Sequence, residues 1–325
     1  MLTLKEEEVR ARLDPRVVIS AIEAAFRDRY SSTVTPPRTH VQLEQSAFLI
    51  MPCYDRSGRA LGMKLVVVRT ASFRAAGFDD GPAVQATYML LNPETGAPKL
   101  IIPANYLTEI RTAATSAVAT KFLSRQDAST LGIFGTGRQA RAHAKVLPLV
   151  RRFERVLVCG REARQAEQFV GEISNETGLR MHAVDARTCA GESDVICTCT
   201  TSHNPLMEGD LLRAGTHLNL IGAFQPHTRE VDSATVQRAH VVVDTYDGAM
   251  AEAGDLLVPI REGSIGRDHI ISDLHQLVSG QRSGRSGPED ITIFKSVGCA
   301  LEDLVTAELV ISSPQPCVRA STEPS

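Results

Sequence analysis

Residues 131–140 read Leu-Gly-Ile-Phe-Gly-Thr-Gly-Arg-Gln-Ala, and this stretch decides how the chain is expected to fold. A short apolar run, 131–134, reads as a buried strand. Directly after it, Gly135-Thr136-Gly137-Arg138-Gln139-Ala140 fits G-x-G-x-x-A where a helix opens. Each small residue has a mechanical reason. Gly135 permits the tight turn, Gly137 lets the main chain approach a pyrophosphate, and Ala140 keeps the helix close to the strand, while the first free N–H groups of the helix face the phosphates. The spacing predicts a dinucleotide-binding α/β unit.

Working outward, strand and helix patterns alternate on the C-terminal side. Helices are expected over 138–150 and 162–174, and strands over 155–159, 181–184, 194–200, 217–223 and 240–245, with a further strand over 291–294. Alternation of this kind builds a doubly wound parallel sheet. The Ser/Gly/Arg-rich stretch 279–287 reads as a solvated loop. On the N-terminal side, an alanine-rich helix is expected over 106–124. Before it lie strand-like runs at 48–51, 61–68, 83–91 and 100–102, the last two flanking the turn cluster Asn92-Pro-Glu-Thr-Gly96. Asp14-Pro15 starts a helix that the apolar spacing of Val18, Ile22, Ala25 and Phe26 carries to about Tyr30. The first hundred residues therefore read as a mixed sheet with a helix.

Composition narrows the function classes. The 325 residues are 43 % hydrophobic and 22 % charged, with 35 Lys plus Arg against 38 Asp plus Glu, a net charge of −3. That balance argues against nucleic acid or an anionic membrane as the partner and favours a small molecule. No apolar run approaches the ~18 residues of a membrane span and the opening segment has no secretory core, so a cytoplasmic setting is expected. Seven cysteines without a CxxC pair, and histidines without HExxH, predict small buried hydrophobes rather than disulfides, and no metal site.

The second strand of the α/β unit ends at Val158-Cys-Gly-Arg161, where an NAD-specific site would place an acid for the ribose hydroxyl. A base stands there instead. Arg161, helped by Arg164, suits a 2′-phosphate, so NADP(H) is expected as the preferred coenzyme, with NAD(H) as the second. On the substrate side, Arg38 follows a double proline, Lys64 interrupts the apolar run Leu61-Gly-Met-Lys-Leu-Val66, and Arg111 lies in the alanine-rich helix. An ammonium in so apolar a run costs free energy unless it is paired or functional. Arginine forks suit carboxylates.

Taken in order, Met51-Pro52, Gly62-Met-Lys-Leu-Val66, Gln85-Ala-Thr87, Arg111-Thr-Ala-Ala-Thr-Ser-Ala117, Gly135-Thr-Gly-Arg-Gln-Ala140, Gly215-Thr-His-Leu-Asn219 and Phe294-Lys-Ser-Val-Gly298 resemble the ornithine cyclodeaminase and mu-crystallin family along nearly the whole chain. The resemblance implies a homodimer of two-domain subunits. A nicotinamide-binding Rossmann domain would span 121–299, and a substrate and dimerisation domain 1–120 with 300–325. It implies Lys64 as active-site lysine, Arg38 and Arg111 as carboxylate ligands, and Met51 and Phe224 beside the substrate. Thr87, Arg111, Thr112, Gly135, Gly137, Arg138, Gln139, Arg161, Thr200, Ile221 and Ser296 would line the cofactor. Where cyclodeaminases of the family carry acids, this chain has Phe224 and Leu49. The form Gly222-Ala-Phe-Gln-Pro-His-Thr-Arg-Glu230 instead resembles the branch that reduces cyclic ketimine carboxylates such as Δ1-pyrroline-2-carboxylate or its six-membered analogue. An amino-acid dehydrogenase acting on an open-chain 2-oxo acid and ammonia, or a binding protein without turnover, are the alternatives.

Overall fold

The computed structural model describes residues 1–44, 46–69 and 84–313, so Ala83, Cys317 and the stretch 314–325 lie outside the described residues. Two sheets carry the chain. One has the order Leu2–Thr3, Pro98–Pro103, Val84–Leu91, Ala60–Arg69, Ser46–Asp55, Thr33–Val34, with Thr39–Gln42 also paired to Ser46–Asp55. Its pairings are antiparallel apart from that of Leu2–Thr3 with Pro98–Pro103. The expected hairpin at 92–96 forms because the Asn92 side chain accepts from the Glu94 and Thr95 N–H groups and Gly96 takes φ +70°.

The second sheet has eight parallel strands in the order Met181–Ala183, Arg155–Cys159, Thr130–Phe134, Val195–Thr198, His217–Leu220, Ile291–Lys295, Ala239–Val243, Ile270–Asp273. This is a Rossmann-type doubly wound sheet. The strand order reverses between Thr130–Phe134 and Val195–Thr198, which puts a ligand crevice at their C-terminal ends.

Between the sheets runs the helix Asn105–Leu123, buried almost all round. Alanines let neighbours approach from every side, and its threonines satisfy their own hydroxyls: Thr108, Thr112 and Thr115 donate to the carbonyls four residues back. The last helix, Ala300–Ser312, packs against this helix and against the inner face of the mixed sheet. No helix among the described residues is long and apolar enough to cross a membrane.

Three expectations need correction. The helix expected from Asp14-Pro15 to about Tyr30 follows an earlier helix, Glu6–Arg12, and is α only over Pro15–Ala24. It widens to a π turn at Ala25–Arg29 and tightens to 3-10 at Tyr30–Ser32, where the His275 ring donates to the Phe26 carbonyl at 2.6 Å and stacks on Tyr30. A contact distant in sequence sets how that helix ends. The helix expected over 138–150 is α over Arg138–Val146 and 3-10 over Leu147–Leu149, because Pro148 has no N–H to continue the ladder. The 279–287 loop is not simply solvated. Arg285 bonds the carbonyls of Leu123 at 2.7 Å and Gly215 at 3.1 Å, and Gly284 is buried against Leu123.

Candidate functional site

The glycine turn and the crevice beside it form at the strand end where the sequence places them. Gly135 has φ +110°, and a Cβ there would stand 2.6 Å from the Cys199 carbonyl, so only glycine lets the turn close on the neighbouring strand end. A Cβ on Gly137 would meet nothing within 4 Å, and Gly137 opens the helix Arg138–Val146 with no side chain capping its N–H groups. Gln139 Oε1 is buried there without a partner, and Ala140 is fully buried. Uncapped helical N–H groups and open space beside them fit a dinucleotide pyrophosphate. Arg138 itself is paired to Glu109 and, at 3.6 Å, Glu6. A Cβ on Gly160 would stand 3.2 Å from Thr136 Cγ2, so the chain passes close to the glycine turn there and the exposed Arg161 follows at its rim.

Thr200 is held on the other wall. Its N–H and hydroxyl both donate to Glu230 Oε1, at 2.8 and 2.7 Å. Glu230 Oε2 accepts from Thr198 and from the N–H groups of Gly222 and Ala223. Asp255 then caps the Glu230 N–H at 2.6 Å and pairs with Lys295 at 2.8 Å, and all three charged groups are fully buried. Burial and the neighbouring Asp255 push the Glu230 carboxyl up. Ile221 lies in the same strand-end segment, and Phe224 packs with the Rossmann-side apolar cluster.

Of the expected substrate residues, Arg38, Lys64 and Arg111 come together elsewhere, around the 297–303 turn, and Phe224 does not join them. Lys64 and Met51 face each other in register on the inner face of the mixed sheet, with Leu49 two residues along on that face. Lys64 Nζ lies 2.8 and 2.9 Å from the two oxygens of Asp303. Arg111 reaches Asp303 through Nε at 2.9 Å and Glu302 through Nη1 at 2.6 Å. Arg38 bonds the carbonyls of Val297 and Gly298 at 2.6 and 3.0 Å and pairs with Glu252 at 3.0 Å. Gly298, at φ +90°, is where the Arg111 guanidinium packs: a Cβ would sit 2.8 Å from Nη1. Asp244 pins this turn by accepting from Ser296 Oγ and from the N–H groups of Val297 and Gly298.

The electrostatics follow from burial. Desolvation, then repulsion from Arg111, pushes the Lys64 ammonium down to about 8 against the pull of Asp303. Burial pushes the Glu302 carboxyl up to about 7 although Arg111 opposes it. Arg111 is held charged: its acidic partners outweigh the desolvation.

Thr112 lies one residue from Arg111 and is largely buried. Thr87 is not gathered into either group. It pairs with Leu65 and Pro103, and alternation puts it on the sheet face opposite Lys64. Sequence reading missed Glu230, Asp244, Glu252, Asp255, Lys295, Glu302 and Asp303. The signal was available for Glu302 and Asp303, which interrupt the apolar helix Ala-Leu-Glu-Asp-Leu-Val just as Lys64 interrupts its strand.

Residues 1–315 match the model of the family described as "Ornithine cyclodeaminase/mu-crystallin family". A Δ1-pyrroline-2-carboxylate reductase of Bacillus cereus is 35 % identical over 313 residues, 95 % of each chain. Among solved structures, Thermococcus litoralis Δ1-pyrroline-2-carboxylate reductase in complex with NADH and L-proline superposes with TM-score 0.91 at 36 % identity, covering 95 % of this chain and 96 % of that one. An archaeal alanine dehydrogenase dimer with bound NAD gives TM-score 0.88 at 29 % identity, covering 95 % and 94 %. The chain belongs to the ornithine cyclodeaminase/mu-crystallin family.

Proposed function

We propose that this chain is a nicotinamide-dependent oxidoreductase of C=N bonds, reducing a cyclic ketimine carboxylate, Δ1-pyrroline-2-carboxylate to L-proline or the six-membered analogue to L-pipecolate. The observation that carries the reading is the convergence of Lys64 and Arg111 on one buried carboxylate, Asp303, with Arg38 on the adjoining turn. Its relatives include a reductase solved with NADH and L-proline.

Reduced nicotinamide, when bound, supplies the hydride, which no side chain can. Arg38 and Arg111 hold the substrate carboxylate and so orient the imine carbon. Lys64 gives a proton to the ring nitrogen: an N–H bond forms there as an Nζ–H bond breaks, and the imine becomes a secondary amine. Lys64 then regains its proton from solvent. Met51 and Phe224 supply apolar cover. NADPH is the preferred coenzyme in this reading because Arg161 is exposed at the rim of the glycine turn, with Arg164 exposed early in the helix that follows, and charge-assisted pairing to a 2′-phosphate needs such a base. The active unit is a homodimer. Opposite the Lys64 face, Ile50, Leu65, Pro52, Met63, Met89 and Ile101 line up in register as a half-exposed apolar face that a second copy would cover.

The likeness to the NAD-bound alanine dehydrogenase supports a second reading, reductive amination of an open-chain 2-oxo acid. Coenzyme oxidation separates the two. Preformed cyclic imine without ammonium should be reduced, whereas pyruvate with ammonium should not be. Ornithine should release no ammonia, since Leu49 and Phe224 can neither take a proton nor balance an iminium. Turnover of pyruvate only in the presence of ammonium would select the second reading.

A further inference from the structure

Asp303 stands in the first turn of the Ala300–Ser312 helix and is fully buried. Both of its oxygens lie within 2.9 Å of Lys64 Nζ, and Oδ1 is also 2.9 Å from Arg111 Nε. The two cations come from different elements, the Ala60–Arg69 strand and the Asn105–Leu123 helix, and this carboxylate joins them. We propose that Asp303 is a positioning residue of the reaction: it sets the spacing between the proton donor Lys64 and the carboxylate ligand Arg111 and keeps Lys64 charged until the proton is needed. The inference rests on the reading of Lys64 as the donor.

The surroundings leave Asp303 this role. Around the pair, Arg111 and Arg38 both repel the Lys64 charge, and burial disfavours it further. Asp303 is the group that opposes them. Glu302 cannot substitute, because its carboxyl is engaged by Arg111 and by the Cys299 N–H. Tyr88, next to Lys64 in register, and Cys53 are held protonated by burial and by the Asp303 charge, so neither offers a second anion. With Asp303 neutral, Lys64 would lose its proton at lower pH, and the step that needs the charged form would fail there.

The experiment is the pH profile of imine turnover at saturating coenzyme for wild type, Asp303→Asn, Asp303→Glu and Lys64→Met, with coenzyme affinity measured by fluorescence for each. In wild type, activity falls as Lys64 loses its proton on the alkaline side. Asp303→Asn should move that fall to lower pH by about one to three units, the size expected when an adjacent opposite charge is removed, while coenzyme affinity stays unchanged. Asp303→Glu keeps the charge, so it should keep the wild-type position of the fall while lowering turnover and raising KM. An Asp303→Asn profile lowered equally at every pH, with its fall where the wild type has it, would overturn the proposal. If that variant does not fold, Asp303→Glu decides: unchanged turnover and KM overturn the proposal as well. Lys64→Met tests the underlying reading separately, because an alkaline fall that persists there removes Lys64 as donor whatever Asp303 does.

Discussion

Among the described residues Arg161 has no hydrogen-bond or ion-pair partner, and it meets solvent at the rim of the glycine turn, so its contribution should be confined to the coenzyme's adenosine end. Arg161→Ala should weaken NADPH by on the order of 1.5–3 kcal/mol, the worth of a hydrogen bond to a charged group, and leave NADH nearly unchanged. Equal loss for both coenzymes in a titration would refute the assignment. Glu302 has a different signature. Its carboxyl is pushed from 4.5 to about 7 in the fold, so between those values the native state binds more protons than the unfolded chain. Stability from this group is therefore highest at acid pH and falls as pH rises through about 7, by on the order of 3 kcal/mol. Denaturation of wild type beside Glu302→Gln should show that difference growing over this window, and parallel pH dependences would contradict it. The same residues show what a sequence can disclose. Lys64 was legible because a charge in an apolar strand costs free energy, but its partner lies 239 positions away and no local pattern names it.

At the scale of elements, the glycine turn was legible in full, since a tight turn, an open approach and an uncapped helix start are all local demands. The wall opposite was not. Thr200 reads as the last residue of an expected strand, and only the fold shows Glu230 gathering five donors from Thr198, Thr200 and the Gly222–Ala223 turn. Glu230→Gln would present an amide N–H to some of those donors. We expect it to weaken coenzyme binding about tenfold or more, the scale of one or two lost hydrogen bonds, with the KM for imine changed less. A variant with wild-type coenzyme affinity would show that the carboxylate is dispensable to the crevice. The end of the helix that begins at Pro15 and the pinned 279–287 loop were illegible for a related reason: His275 and Arg285 reach main-chain carbonyls that are remote in sequence.

For the whole molecule, alternation in the mixed sheet leaves two faces with different fates. The inner face packs on Asn105–Leu123 and Ala300–Ser312, whereas the outer face keeps a register of apolar side chains half exposed. A second copy is expected to cover it, so light scattering should report twice the chain mass, and Met63→Glu should shift the protein toward the single-chain mass. A wild type that remains monomeric at micromolar concentration would contradict this. In the proposed reaction, hydride reaches an imine carbon whose nitrogen is protonated from Lys64. Its most direct test is reduction of Δ1-pyrroline-2-carboxylate with coenzyme deuterated at the transferring position, followed by NMR of the product. The expected product is L-proline carrying one deuterium at C2, formed by wild type and slowed about 10²–10⁴-fold in Lys64→Met with the coenzyme still bound. Coenzyme left unoxidised, product without deuterium at C2, or a Lys64→Met variant at near-normal rate would contradict it.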